Sequence, residues 1–148
     1  MDSAHELPQA QYANFWWRIG AYIVDSVLVG LGTQIIYLLL GIRPVMDESI
    51  RLPRAEEVGA LLVALVGTWL YFALMESSKR QGTLGKSLLG LIVTDSDGKR
   101  LSFERATGRF FGKFISSLTL GIGYLMVLWT RKRQGLHDIM AKTLVLKR

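Results

Sequence analysis

The sequence lacks cysteine altogether and has only two histidines and three prolines. The missing thiols exclude disulfides and thiolate metal ligands, and the two histidines have no further ligand at metal-binding spacing. Nor is there a phosphate-binding loop, because Arg80 stands where the string Gly85-Lys86-Ser87 would need an earlier glycine. We instead expect a surface turn there, with Lys86 near anionic lipid. The sequence therefore predicts no metal, no cofactor and no enzymatic activity, since nothing marks a nucleophile beside a base.

The 18 lysines and arginines outnumber the 12 acidic residues, giving a formal charge of +6. Such a charge can bind nucleic acid, but most of these residues stand just outside apolar segments, where they orient a chain in a membrane. Half of the 148 residues are hydrophobic, which is too many for an ordinary soluble domain. The N-terminal "MDSAHELPQAQYAN" has no basic start before an apolar core, so we expect no cleavable signal peptide. We predict one membrane domain over residues 1–148, in contact with the lipid bilayer and not with nucleic acid.

Two apolar runs predict transmembrane helices, since about 20 such residues cross a hydrocarbon core. The first covers residues 15–42 and is interrupted by few polar side chains, and the second covers residues 58–75 without a charge. Between them, "RPVMDESIRLPRAEE" at residues 43–57 carries seven charges and two prolines. This composition predicts a solvated loop.

A third hydrophobic segment, residues 104–130, contains Lys113 and the helix-breaking residues Gly121 and Gly123. It either crosses the membrane once or folds back as a re-entrant element or helical hairpin. Lysines and arginines number three in the loop between the first two helices, seven from residue 79 to 109, and six in the tail 131–148. The positive-inside rule then places the loop 76–103, the tail and both termini in the cytoplasm, which favours folding back near Gly121.

Two short segments have strand character. In "LLGLIVTDSDGKRLSF", residues 88–103, a β-branched run meets Asp97-Gly98, which predicts a β-hairpin with its turn near residues 96–99. The closing "KTLVLKR" is a second β-prone run that can pair with it. The predicted fold class is an all-α membrane protein with two transmembrane helices, the third segment and a small cytoplasmic β-hairpin or sheet.

Arg18 and Asp25 stand seven residues apart in the first helix, on one face and roughly 10 Å apart along the axis. An arginine near the boundary can extend to phosphate head groups. A shorter carboxylate cannot, and at helix centre it costs on the order of 2.5–3.5 kcal/mol. Asp25 is therefore either part of a polar clasp between helices or an ion or proton site. Ser26 and Gly30 form a small-xxx-small pair, which predicts helix packing within the chain or with another copy.

Three blocks of sequence, "FWWRIGAYIVD", "QGTLGKSLLGLIVTDSDGKRLSF" and "QGLHDIMAKTLVL", resemble the RDD family of small integral membrane proteins. The resemblance covers residues 15–146 and implies that Arg18, Asp25 and Asp138 are the arginine and the two aspartates for which the family is named. The chain departs from the usual blocks at Leu84, in place of proline, and at Lys142, in place of glycine. The resemblance also implies a prokaryotic inner-membrane protein, and sodium or potassium for proton exchange has been suggested for some members.

Two hypotheses follow for the function. In the first, the chain is a small ion-coupled transport module for a monovalent cation or proton, with Arg18 at the centre of a polar cluster and Asp25 and Asp138 as its acceptors. In the second, it is a non-catalytic membrane assembly or accessory protein in which the same cluster is a structural clasp. Two or three helices make a cramped conduit for one chain, which favours the second hypothesis unless the protein self-associates. We expect a homo-oligomer or a partner membrane protein.

Overall fold

Two long helices dominate the structure, a computed structural model that describes residues 11–42 and 55–148, apart from the side chain of Glu56. Helix α1 spans Phe15–Leu40 and helix α2 spans Ala55–Ser77. Both contain windows long and apolar enough to cross a membrane, which confirms the two predicted transmembrane helices. The N-terminal stretch before residue 11 and most of the predicted loop, residues 43–54, lie outside the described residues.

The ends of α1 are set by its flanking residues. The side chain of Asn14 accepts a hydrogen bond from the N–H of Trp17 at 3.1 Å, which caps the first turn. At the other end Gly41 takes the left-handed conformation, with φ of 66°, and its N–H bonds to carbonyls of the last turn. Near that end the Tyr37 hydroxyl donates to the Ala60 carbonyl at 2.8 Å, and nearer the start of α1 Asp25 accepts from the Tyr71 hydroxyl at 2.9 Å, so α1 and α2 run antiparallel.

The third hydrophobic segment is a bent pair of helices. Helix α4 spans Phe103–Leu118, and after a bend of 115° helix α5, Ile122–Leu125, continues into a 3-10 turn at Met126–Leu128. The bend occurs at Gly121, whose φ of 81° favours glycine. Beyond it Gly123 packs on α4 so closely that a Cβ would lie 2.8 Å from the Ser116 Cα. The break predicted near Gly121 is confirmed, but a bent pair is compatible with one broken crossing and with a folded-back element, so folding back stays a prediction.

A small antiparallel sheet joins both ends of the described chain. Strands β1 (Gln11–Tyr12), β2 (Leu91–Asp95) and β3 (Thr143–Lys147) lie in the order β1-β3-β2. Leu91 pairs with Lys147 and Asp95 with Thr143. The predicted small sheet is therefore confirmed.

The predicted β-hairpin at residues 88–103 is wrong in its second strand. The turn after β2 forms, because the Asp95 carboxylate accepts hydrogen bonds from the N–H groups of Asp97 and Lys99. The chain then enters α4 instead of a strand, since the Ser102 hydroxyl accepts from the N–H of Arg105 and caps that helix. The vacant edge of β2 is filled by β3, from the end of the chain.

Two short helices complete the fold, α3 at Leu84–Leu88 and α6 at Leu136–Met140. We call the sheet together with α3, α4 and α6 the platform. Its core is small and apolar and includes one alanine from each long helix, so the platform packs directly on one end of the two spans. The core residues are Ala13, Ala21, Ala73, Leu91, Val93, Leu101, Ala106 and Val145.

Candidate functional site

A network of five charged side chains lies where the platform meets the spans. It consists of Arg18, Glu76, Lys86, Arg109 and Asp138, and we call it the ion network. Arg109, only 2% exposed, is at its centre. Its Nη1 donates to Glu76 Oε1 at 2.6 Å, and its Nε and Nη2 donate to Asp138 Oδ1 at 2.9 and 2.7 Å. A planar guanidinium suits this bridging of two carboxylates.

Asp138 is held on its other oxygen by α1 and by its own helix. Its Oδ2 accepts from Arg18 Nη1 at 2.5 Å and from the Gly135 N–H at 3.1 Å, which caps the start of α6. Burial alone would raise the pKa of the Asp138 carboxyl, but Arg109 and Arg18 outweigh it and hold the pKa well below its usual range. Asp138 is therefore ionised at neutral pH.

Lys86 enters the same network from α3. Its Nζ donates to Glu76 Oε1, and the residue is only 8% exposed, so the predicted surface turn near lipid is wrong. Burial lowers the pKa of Lys86, and the neighbouring Glu76 partly restores it. The physical reason for the burial is that Glu76, at the end of an apolar span, needs cationic partners to offset its desolvation.

Asp25 belongs to a second group of polar residues, which we call the Asp25 cluster: Asp25, Tyr71, Thr83 and Gly85. Its Oδ1 accepts from the Tyr71 hydroxyl at 2.9 Å and from the Gly85 N–H at 2.8 Å, and its Oδ2 accepts from the Thr83 hydroxyl at 2.5 Å. The Tyr71 oxygen in turn accepts from the Leu84 N–H at 3.1 Å. Asp25 thus ties α1 to α2 and to the start of α3.

Glycine is required at position 85 by the closeness of α3 to α1. A Cβ there would lie 2.3 Å from the Ala21 carbonyl oxygen and 2.9 Å from the Asp25 carboxyl carbon. No side chain fits in that space without separating the helices. The string around Gly85 therefore serves helix packing and hydrogen bonding to Asp25.

The structure brings together two of the three residues singled out from the sequence. Arg18 and Asp138 form an ion pair, whereas the hydrogen bonds to Asp25 among the described residues come from the Asp25 cluster and not from Arg18. Asp25 lies about 10 Å further along α1, and helical side chains lean toward the N-terminus, which carries Arg18 away from it. The expected single cluster is two clusters, with Arg18 at the edge of one.

The helix-packing pair Ser26 and Gly30 is exposed within the described chain. A Cβ on Gly30 would meet nothing within 4 Å. No described residue lies within 4 Å of that position, so the packing predicted for this pair stays a prediction.

Sequence reasoning missed Glu76 and Arg109 as members of the site. In the sequence, Glu76 only follows the uncharged run that predicts the second span, and Arg109 is one of seven basic residues that favour a cytoplasmic side. The amphipathic pattern of α4 could have indicated that Arg109 is buried. One face of this helix carries Arg109 and Lys113 and points inward, and the opposite face carries exposed apolar side chains, the reverse of a helix in water. The exposed residues of that face are Phe103, Phe111, Phe114, Ile115 and Leu118.

Lys113 lies on the inward face of α4 one turn after Arg109. Its ammonium sits 3.9 Å from the centre of the Phe72 ring on α2, a cation–π contact. The side chain therefore points toward α2 and away from the exposed apolar face of α4. Lys113 thus places a basic side chain between α2 and α4.

A comparison with protein-family models matches residues 12–142 to the model described as the RDD family. The matched residues include Arg18, Asp25 and Asp138. The chain belongs to the RDD family. It is a membrane protein, with its lipid-facing helices in contact with the bilayer.

Relatives share most of the chain's length. The RDD chain is similar to "Uncharacterized protein YxaI" of Bacillus subtilis, with 35% identity over 145 residues, 90% of this chain and 95% of the relative. It is 32% identical to "Uncharacterized membrane protein YteJ" of the same organism over 148 residues, 95% of this chain and 84% of the relative. "Proline-rich antigen" of Mycobacterium leprae is 26% identical over 95% of this chain and 63% of its own length. No solved structure matches.

Next to the ion network of this RDD protein, three residues have the order of a hydrolytic triad. Ser116 Oγ lies 3.3 Å from His137 Nδ1, and His137 Nε2 lies 3.4 Å from Asp138 Oδ1. Ser116 is fully buried and its hydroxyl donates to the Gly112 carbonyl at 3.1 Å. A nucleophile must be reached by its substrate, and this hydroxyl is covered by Gly123. These contacts therefore fit packing between α4 and α6.

Proposed function

We propose that this RDD protein is a membrane assembly or accessory module, non-enzymatic, in which the two polar clusters clasp the platform to the spans. One observation carries the proposal. Both carboxylate oxygens of Asp25 and both of Asp138 already accept hydrogen bonds from protein donors. A cation that entered either site would have to replace bonds that hold helices together.

The composition of the ion network supports a clasp. Each of five helices contributes one charged residue to it: Arg18 from α1, Glu76 from α2, Lys86 from α3, Arg109 from α4 and Asp138 from α6. Buried ion pairs fix an arrangement more than they add stability, because desolvation offsets most of their attraction. A platform fixed in this way presents a constant surface to a partner membrane protein or to a second copy.

The relatives support a module that works with other parts. The match with the Mycobacterium leprae relative covers 95% of this chain but only 63% of the relative, so a similar unit occurs there within a longer protein. We also propose that the protein resides in the cytoplasmic (inner) membrane of a prokaryote with both termini in the cytoplasm. The lysine and arginine counts favour this orientation, and the pairing of β1 with β3 keeps the two ends together.

Asp25→Asn tests the clasp. The amide keeps the size of the carboxylate but loses its charge, so we expect a lower protein level in the membrane and altered cross-linking to copies or partners. Asp97→Asn is the control, because Asp97 is exposed in the turn after β2. Normal level, melting and cross-linking of Asp25→Asn would reject the clasp.

A second candidate is exchange of a monovalent cation for a proton at Asp25. It is favoured by the neutrality of the three donors to Asp25, the Tyr71 and Thr83 hydroxyls and the Gly85 N–H, which give the carboxylate no cationic hydrogen-bond partner among the described residues. In proteoliposomes a sodium or potassium gradient would then drive proton flux that Asp25→Asn abolishes. The absence of flux with the unsubstituted chain would reject exchange and leave the clasp.

A further inference from the structure

Gln34 places a polar side chain on the lipid-facing surface of α1. It lies about 9 Å before the end of the helix at Leu40, and exposed leucines follow it to that end, so it stands at the depth of the hydrocarbon core. Among the described residues 26–40 and 58–75 of the two spans, the exposed polar side chains are those of Ser26 and Gln34. The exposed surface of the spans is otherwise apolar.

The amide of Gln34 has no hydrogen-bond partner in the part of the chain that the structure describes. The Ser26 hydroxyl can bond to a carbonyl one turn back in its own helix, as those of Thr33 and Thr68 do at 2.9 and 2.7 Å. Gln34 instead has a carbonyl oxygen and an amide nitrogen with two hydrogens to satisfy, and lipid tails offer neither donor nor acceptor. It therefore needs a polar group from another protein chain.

Gln34 faces away from α2. It follows Asp25, which is bonded to α2, by nine residues, and at about 100° per residue this places it on the opposite side of α1. Ile23, Val27 and Gly30 share its side. With Gln34 they are spaced by four, three and four residues, which is typical of the seam between two packed helices. Ile23 and Val27 are each 57% exposed, and a Cβ on Gly30 would meet nothing within 4 Å, so the seam is open to a further helix.

We propose that α1 of a second copy of this chain packs on this seam, in a parallel dimer in which the two Gln34 amides bond to each other. Copies inserted in one membrane share one orientation, so each seam residue meets its own counterpart across a twofold axis. A primary amide is both donor and acceptor and can bond to an identical amide, and Gly30 lets the two backbones approach closely. The seam contains no charged residue that would repel its counterpart.

This inference goes beyond the proposed clasp. The ion network and the Asp25 cluster act within one chain, whereas the seam lies on the side of α1 that faces away from α2. The dimer therefore neither requires the clasp nor follows from it.

Cysteine cross-linking of the full chain in membranes tests the seam, because the chain has no cysteine of its own. Val27→Cys lies in the seam, and Leu28→Cys, the next residue, points about 100° away from it. Gly30→Cys and Ile35→Cys form a second pair of this kind. We expect oxidation to produce severalfold more disulfide-linked dimer from the two seam cysteines than from their controls. Equal or stronger cross-linking of the controls would overturn the proposal, and so would cross-linking of the seam cysteines to another protein instead of to a second copy.

Gln34→Leu tests the amide pair. Energy transfer between donor-labelled and acceptor-labelled copies in liposomes measures dimerisation, with the label on Asp97→Cys in the exposed turn after β2. We expect Gln34→Leu to raise the dissociation constant of the dimer about tenfold, the effect of losing a polar contact between membrane helices. Gln34→Asn keeps the amide and should retain most of the transfer. Ser26→Ala is the control, because it also removes an exposed polar group of α1 but lies about 80° from Gln34 around the helix.

The two parts of the proposal fail in different ways. Equal dissociation constants for Gln34→Leu and Ser26→Ala would overturn the amide pair. Monomers of the unsubstituted chain at every ratio of protein to lipid would overturn the dimer itself and would leave the clasp within one chain untouched. Because Gln34 is exposed, Gln34→Leu should keep the protein level in the membrane unchanged, which separates a lost contact between copies from a failure to fold.

Discussion

Arg109 and Asp138 form a two-donor ion pair, in which Nε and Nη2 of the arginine lie 2.9 and 2.7 Å from the same carboxylate oxygen. Because Arg109 also holds Glu76 at 2.6 Å, it is the residue through which α2, α4 and α6 are joined. Its removal would leave both carboxylates with one cationic partner each, Arg18 for Asp138 and Lys86 for Glu76.

Arg109→Gln should destabilise the protein by about 3–5 kcal/mol, because it breaks a buried ion network from one side. Thermal unfolding in detergent measures the change. Arg105→Gln is the matched control on the same helix, since Arg105 has a 41% exposed side chain and lies 3.6 Å from Asp95. We expect Arg105→Gln to lower the free energy of unfolding by less than about 1 kcal/mol, because its ion pair is exposed. Equal effects of the two substitutions would contradict a central role for Arg109.

Gly85→Ala should disrupt the contact between α3 and α1. The added Cβ would lie 2.3 Å from the Ala21 carbonyl, so either α3 moves away or the Asp25 cluster loses the Gly85 N–H. We expect the free energy of unfolding to fall by about 1–3 kcal/mol, as it does when a well-packed site is overpacked. Gly108→Ala on α4 is the control, because a Cβ there meets nothing within 4 Å. Comparing membrane protein levels and melting temperatures of the two variants checks the prediction, and an unchanged Gly85→Ala would refute it.

The third segment should leave the residues before α4 and after α5 on one side of the membrane. Asp97 and Arg131 are exposed on either side of this segment. Single cysteines there, in a chain without others, can be labelled with a membrane-impermeant maleimide in intact cells and in everted vesicles. We expect both to react only in everted vesicles, and a reporter fused after Arg148 to be cytoplasmic. Labelling from opposite sides would mean that the segment crosses the membrane.

The two spans and the helix break near Gly121 could be predicted because they depend on residues close in sequence. Run length, charge counts and a pair of glycines are sufficient for them. The partners of Asp25 could not be predicted, since Tyr71, Thr83 and Gly85 lie 46, 58 and 60 residues away. Periodicity reports which face a residue occupies but not which element covers it. Lys86 is an example. It stands in a polar stretch of the sequence, which suggests an exposed side chain, and only the fold places it beside Glu76.

His137 should make stability depend on pH between about 6.5 and 4. Burial lowers its pKa from the ordinary 6.5 to about 3, with Asp138 acting in the opposite direction, so the folded protein holds a neutral imidazole. The unfolded chain binds a proton below pH 6.5 and the folded one does not, so stability is complete above that pH and falls as the pH drops. The free energy of unfolding should change by at most about 1.4 kcal/mol per pH unit.

The contribution of Asp138 falls in a different pH range. Its lowered pKa also favours the folded state at neutral pH, and this stabilisation is lost only below the ordinary value of 3.8. Melting temperatures measured from pH 7 to pH 4 should therefore decline for the unsubstituted chain and decline less for His137→Gln, and parallel curves would show that folding does not lower the pKa of His137.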